Sequence, residues 1–111
     1  MMVKRKIGFE VGSGNVFKDL GLRDSEELLA KAKLASRIID IVQERKLTQA
    51  AAAQLLGVDQ PKVSLIFRGQ LDQFSIERLM RFVNALGHDL RITVEPKARR
   101  RRRGRMIVEA A

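Results

Sequence analysis

The sequence predicts an all-α bundle of about four to five helices, with a short C-terminal β-strand and flexible termini. Three observations lead to this fold class. Capping residues and glycines divide the middle of the chain into helix-length segments, and apolar residues recur within them at helical spacing. Apolar residues make up 45% of the 111 residues and aromatic ones only 5%, which indicates a small aliphatic core in a single domain.

The first helix is predicted to begin after Ser25, whose hydroxyl can cap it, and to run to about Lys46. Residues 1–24 contain four glycines and no sustained helical period, so we expect a flexible N-terminal segment there. The buried face of the helix is predicted from residues at helical spacing, namely Leu28, Ala32, Ala35, Ile38, Ile39 and Val42.

Three shorter helices are predicted to follow, each opened by a residue with a capping oxygen and closed by a glycine. The capping residues are Thr48, Asp59 and Ser75, and the closing glycines are Gly57, Gly69 and Gly87. Pro61 lies in the first turn of the middle helix, where its missing N–H removes no helical hydrogen bond.

After Gly87 the apolar period becomes two, which predicts a strand over residues 90–94. A lone strand needs a partner, and the candidates are residues 7–11 of the same chain or the matching strand of a second subunit. The predicted organisation is a flexible segment over 1–24, a domain over 25–96 and a basic disordered tail over 97–111.

The chain carries 22 Lys and Arg against 13 Asp and Glu, a formal net charge of +9, which favours anionic partners. The excess lies at the two ends of the chain, in residues 4–6 and 97–105. Nucleic acid is therefore the first candidate partner. The basic tail has two other interpretations: a solvated tail without a structural role, or an RNA contact, although no aromatic residue is interleaved to stack on bases.

Most enzymatic and metal chemistry is disfavoured by composition. The chain has no cysteine and a single histidine, His88, which we expect in a turn, and no nucleophile and base are paired in its sequence. We expect no enzyme activity, no cofactor and no bound metal. No apolar stretch approaches the roughly 20 residues that cross a membrane, so we expect a soluble protein of the cytoplasm.

Residues 47–70, LTQAAAAQLLGVDQPKVSLIFRGQ, resemble the helix-turn-helix of the Xre and lambda-repressor superfamily. The shared features are an L-T-Q opening, an L-G-V link and a closing R-G, and the resemblance extends over about residues 36–86. It implies a lambda-repressor-like bundle. The sequence departs from the usual pattern at Pro61, Leu65 and Phe67, which puts the target sequence in doubt rather than the fold.

Helical geometry predicts which side of the third helix faces DNA. If Val63, Ile66 and Phe67 are buried, the opposite face enters the major groove. The predicted base-reading residues are Gln60, Pro61, Ser64 and Leu65, with Gln60 suited to adenine and Leu65 to a thymine methyl. The predicted phosphate contacts are Lys62, Arg68 and, from the resemblance, Gln49. The alternative is that these are ordinary surface residues.

The layout of the chain is similar to that of HigA-type antitoxins and related small Xre regulators. The similarity rests on NVFKDLG, ELLAKAKLA, the helix-turn-helix and HDLRITVEP. It implies a homodimer that binds an operator palindrome, represses its own promoter and neutralises a ribosome-dependent ribonuclease toxin. Two alternatives stay open: a stand-alone repressor, and a protein-interaction module without specific DNA binding.

A toxin would need a surface away from the recognition helix, and the N-terminal segment is the candidate. Its apolar residues Phe9, Val16, Phe17 and Leu20 could fold onto a partner. The alternative is that they cover the domain's own core.

Overall fold

The structure, a computed structural model, describes residues 22–110, with side chains from Ser25 onward. Four α-helices lie in this part of the chain: α1 (Leu22–Glu44), α2 (Gln49–Leu56), α3 (Gln60–Phe67) and α4 (Ile76–Ala85). Helix α1 packs mainly against α4, and α2 packs mainly against α3. The predicted helical bundle is confirmed.

Helix α1 begins at Leu22, which is earlier than the sequence pattern predicts. Ser25 therefore lies inside the helix. The predicted buried face is also wrong in part: Leu28 is 58% exposed and Ala32 is exposed. The residues of α1 that are buried are Ala30, Leu34, Ala35, Ile38, Ile41 and Val42. This stripe is rotated from the predicted one because it is the face of α1 that packs against α4, the main partner of α1 in the bundle.

The three predicted capping residues all accept the expected hydrogen bond. Thr48 Oγ1 accepts from the amide of Ala51 at 3.0 Å, and Asp59 Oδ1 accepts from the amide of Lys62 at 3.3 Å. Ser75 Oγ accepts from the amide of Arg78 at 3.0 Å. Each bond satisfies one of the amides that a helix start leaves without a helical partner.

The four described helices end with the same backbone motif. One residue adopts the left-handed conformation, and the next amide donates to a carbonyl five residues back, as in a Schellman motif. The left-handed residues are Lys46 (φ 56°), Gly57 (φ 71°), Gly69 (φ 74°) and Gly87 (φ 87°). The bonds run from Leu47 to Val42 (2.9 Å), Val58 to Ala53 (3.0 Å), Gln70 to Leu65 (2.9 Å) and His88 to Val83 (3.2 Å).

The core lies between α1 and α4 and extends under α2 and α3. Its largest side chain with almost no exposure is Phe74, which is 1% exposed and precedes α4. The ring of Phe74 meets that of Phe82 edge to face, with centroids 6.0 Å apart. The guanidinium of Arg78 lies 5.4 Å from the first ring centroid and 5.5 Å from the second. The contact between these two rings holds the segment before α4 against the helix bundle.

The predicted C-terminal strand is wrong. The structure has no strand within residues 22–110, and residues 88–98 have no regular secondary structure. Leu90 packs against the core, but Ile92 is 57% exposed and Val94 is 94% exposed. Alternating residues form a strand only where another strand supplies hydrogen bonds, and the described part of the chain offers none. The candidate partner, residues 7–11, lies outside the described residues.

Residues 97–110 also lack helix and strand, yet they contact the bundle. Val108 packs against the core, and the guanidinium of Arg103 lies 3.4 Å from the carboxylate of Glu26 on α1. The boundaries of the domain and of its basic tail stay predictions.

Candidate nucleic-acid interface

Helices α2 and α3 are joined by a tight turn that sets their relative direction. Gly57 closes α2 with φ 71° and ψ 31°, a left-handed backbone conformation that is sterically strained for residues with a Cβ. Two residues later Asp59 caps α3, with Pro61 in its first turn. The small buried residues Ala52 and Ala53 let the two helices pack closely. The turn, the cap and the small buried residues therefore set the geometry of a helix-turn-helix.

Helix α3 has one buried and one exposed face. Val63 is 1% exposed and Ile66 is completely buried, so both hold the helix on the core. Gln60, Pro61 and Arg68 are exposed on the other side. The structure therefore confirms the predicted orientation of α3 for these five residues, two facing the core and three facing outward. Phe67 is half-buried and packs at the edge of the core.

Five of the seven predicted DNA-contacting residues line one open cavity of about 330 Å³. The cavity lies between the start of α2 and the exposed face of α3, and its lining residues are Gln49, Gln60, Pro61, Ser64 and Arg68. Two amides, a hydroxyl and a guanidinium meet there. These groups can donate hydrogen bonds to phosphate oxygens and to base edges.

The Arg68 side chain lies along α3 instead of extending away from it. Its Nε donates to the carbonyl of Ser64 at 3.4 Å, which holds the guanidinium beside the cavity. The C-cap amide of Arg68 also donates to carbonyls of the last turn, including that of Ser64 at 3.1 Å. Arg68 is thus positioned by the helix end itself.

Leu65 does not lie with the other predicted base-reading residues. It is half-buried, packs against the core and lines a separate cavity with the loop of residues 69–73. The reason is the Schellman bond from Gln70 to Leu65, which turns the chain after Gly69 back over this side of α3. Helical spacing gives no information about this loop, so the sequence analysis predicts a more exposed Leu65 than the structure has.

Lys62 points towards the same loop. Its Nζ donates to Oε1 of Gln73 at 3.4 Å, and Lys62 does not line the cavity of the other predicted residues. The sequence interpretation did not include Gln73 because no helical pattern covers the loop before α4. Lys62 and Gln73 form a polar rim at the second cavity, which Gln73 lines together with Leu65.

The formal charge of this region is small. Residues 47–70 contain Lys62 and Arg68 against Asp59, a balance of +1. Binding to a phosphate backbone gains affinity chiefly from cations, so other parts of the protein have to supply much of the electrostatic attraction.

The predicted partner-binding residues Phe9, Val16, Phe17 and Leu20 lie outside the described residues. Within residues 22–110, no group of three or more His, Cys, Asp or Glu side chains is arranged to hold a metal ion. No helix in this part of the chain combines the length and apolarity needed to span a membrane.

Comparisons with known proteins agree with this geometry. A family profile described as "Helix-turn-helix domain" matches residues 16–95. A solved structure named as an XRE family transcriptional regulator superposes with a TM-score of 0.74 and is 43% identical in sequence. The match covers 79% of this chain and 99% of the other. No curated protein sequence matches the chain. The profile spans most of the chain and includes both helices of the cavity, so the protein is a member of the Xre-type helix-turn-helix family.

Proposed function

We propose that this protein is a sequence-specific DNA-binding transcriptional regulator that reads the major groove with α3. The observation that carries the proposal is the cavity at which Gln49, Gln60, Ser64 and Arg68 meet. A recognition helix needs an exposed polar N-terminal half, and Gln60 and Pro61 provide an exposed first turn. The similarity to a structure named as a transcriptional regulator supports the same conclusion.

Each lining residue has a specific role in this proposal. Gln60 makes a two-pronged contact with adenine, and Ser64 and Pro61 contact neighbouring base edges. Gln49 and Arg68 bind the phosphates on either side of the groove, while Lys62 binds a phosphate from the rim that it shares with Gln73. Leu65 contacts a thymine methyl with a side chain that is only partly exposed, so we expect this contact to add less than that of Gln60.

We further propose that the protein acts as a homodimer on a palindromic operator. One α3 helix reads only a few base pairs, and a second copy about 34 Å away doubles the sequence that is read. Exposed Ile92 and Val94 support this step because they present apolar surface that a second copy can cover. Autorepression, and neutralisation of a ribonuclease toxin through the N-terminal segment, belong to the same proposal and rest on the HigA-like layout of the sequence.

The test is binding to a fluorescent duplex from the region upstream of the gene, compared with a scrambled duplex, at about 150 mM salt. We expect a preference of about a thousandfold or more. Gln60→Ala should remove much of that preference, because a good two-pronged base contact contributes about 1–3 kcal/mol of discrimination. The matched control is Gln54→Ala, which changes an exposed glutamine of α2 that does not line the cavity.

Equal affinity of the unaltered protein for both duplexes would contradict specific regulation and would favour a protein-interaction module. The toxin proposal has a separate test, co-purification with the product of the adjacent gene. A chain without residues 1–21 should lose that product, and undiminished capture would contradict the N-terminal assignment.

A further inference from the structure

Residues 97–105, which we call the arginine arm, hold the densest charge of the protein. Seven of these nine residues are Lys or Arg, and none is acidic. The helix-turn-helix region, in contrast, has a balance of only +1 over residues 47–70. Most of the positive charge that could attract a phosphate backbone therefore lies outside the helices that read the bases.

The arginine arm is fastened to the bundle at three places. Leu90 packs on the core before the arm, and Val108 packs on the core after it. Between them Arg103 makes two contacts with Glu26 of α1, Nη1 to Oε1 and Nη2 to Oε2, each at 3.4 Å. The two side chains are only 35% and 31% exposed, so this ion pair is better shielded than the Arg81–Glu77 pair on α4. These contacts place the arm beside the start of α1.

The arginines of the arm fall into two groups. Arg99, Arg100, Arg102 and Arg105 are exposed, and within residues 25–110 no carboxylate lies within ion-pair distance of them. Arg101 and Arg103 are half-buried. Arg101 donates through its guanidinium to the carbonyl of Arg103 at 3.5 Å, and the charge of Arg103 is balanced by Glu26. The four exposed arginines are free to bind a partner, whereas Arg101 and Arg103 make contacts that shape the arm.

We infer that the arginine arm is a second, sequence-independent contact with duplex DNA, separate from α3. Arg99, Arg100 and Arg102 bind backbone phosphates, while Arg103 acts as a positioning residue that holds the arm on α1. Guanidinium groups bind phosphate oxygens in a forked geometry, and a run of exposed ones suits a polyanion. The inference rests on the proposed DNA-binding function and adds which residues supply its salt-dependent affinity.

The experiment compares two triple variants of the full chain, R99Q/R100Q/R102Q in the arm and K33Q/R81Q/R91Q as the charge-matched control. The control removes three exposed cations elsewhere on the described surface. Affinity for the upstream and scrambled duplexes is measured by fluorescence anisotropy between 50 and 200 mM salt. Circular dichroism melting curves verify that both variants are folded.

We expect the arm variant to lose about 2.7 per bound protomer from the slope of log K against log salt, since each phosphate contact contributes about 0.9. Over a fourfold change in salt, the affinity of the unaltered protein should therefore fall about 40-fold more than that of the arm variant for each protomer on the duplex. The control should lose less than half as much slope, and the ratio of affinities for the two duplexes should stay the same.

An unchanged slope in the arm variant would overturn the inference, as would an equal loss in the control. Loss of binding to a single-stranded RNA with an unchanged duplex slope would assign the arm to RNA and overturn it as well. The proposed function fails by a different result, equal affinity of the unaltered protein for the two duplexes. The two failures are therefore distinguishable.

The positioning role of Arg103 has its own readout. The variant E26Q/R103Q removes the ion pair without changing the net charge. We expect faster tryptic cleavage after Arg100 in this variant, because the arm is then held only by its two apolar contacts. An unchanged cleavage rate would show that the pair does not hold the arm.

Discussion

Replacing Phe74 by alanine tests the packing that holds α4 on the bundle. Phe74 is 1% exposed, contacts Phe82 edge to face at 6.0 Å and lies under the guanidinium of Arg78. Truncating a buried phenylalanine costs about 3–5 kcal/mol, and the loss of an aromatic pair belongs to the upper part of that range. We expect a loss of about 4 kcal/mol in the free energy of unfolding, a large fraction of the roughly 5–15 kcal/mol typical of a domain.

The assay is urea unfolding followed by far-ultraviolet circular dichroism. With a slope of about 1–2 kcal/mol per molar urea, the midpoint should fall by about 2–4 M. The matched control is Phe67→Ala, which truncates a half-buried phenylalanine at the edge of the same core. We expect it to cost about 1–2 kcal/mol, in proportion to the smaller area that it buries. A loss below about 1.5 kcal/mol for Phe74→Ala, or an equal loss for the control, would refute the argument from packing.

Three further predictions concern the helix ends and use the same urea titration. Gly57→Ala should lower the free energy of unfolding by about 1–2 kcal/mol, because alanine is strained in the left-handed conformation. The added Cβ meets no atom within 4 Å, so the loss would come from backbone strain alone, and an unchanged urea midpoint would contradict this explanation. Lys46→Gly should stabilise the protein by up to about 1 kcal/mol, since Lys46 occupies the same left-handed position with a side chain, and a clear loss would show that this strain is absent. Asp59→Ala should cost about 1 kcal/mol by removing the cap of α3, whereas Asp72→Ala, in the exposed loop, should cost less than half as much.

Local signals in the sequence predict the ends of α2, α3 and α4 well, although not the start of α1. Thr48, Asp59 and Ser75 cap their helices through bonds that span three residues, and Gly57 adopts its left-handed conformation because of its neighbours in the chain. Such features depend on a few adjacent residues, so the sequence alone determines them.

Features that depend on distant parts of the chain are the ones that the sequence pattern misplaces. The strand over residues 90–94 needs a hydrogen-bonding partner that no local pattern can supply. Leu65 packs beside a loop that begins four residues later, so a prediction from its helical position alone overestimates its exposure. Leu28 and Ala32 are exposed because the packing of α4, about 50 residues away in the chain, selects a different stripe of α1.

The contact between the ends of α1 and α4 sets a limit on how small a working unit can be. Nη1 of Arg45 donates to the carbonyl of Leu86 at 3.0 Å, and the two residues are 41 positions apart. The helix-turn-helix lies entirely within the loop of chain that this bond closes. Val63 and Ile66 are buried in a core to which α1 and α4 also contribute. A peptide of residues 47–70 would therefore expose its apolar side to water and lose its helices. Grafting the DNA-reading specificity onto another protein thus means exchanging surface residues between whole domains, not transplanting the two short helices.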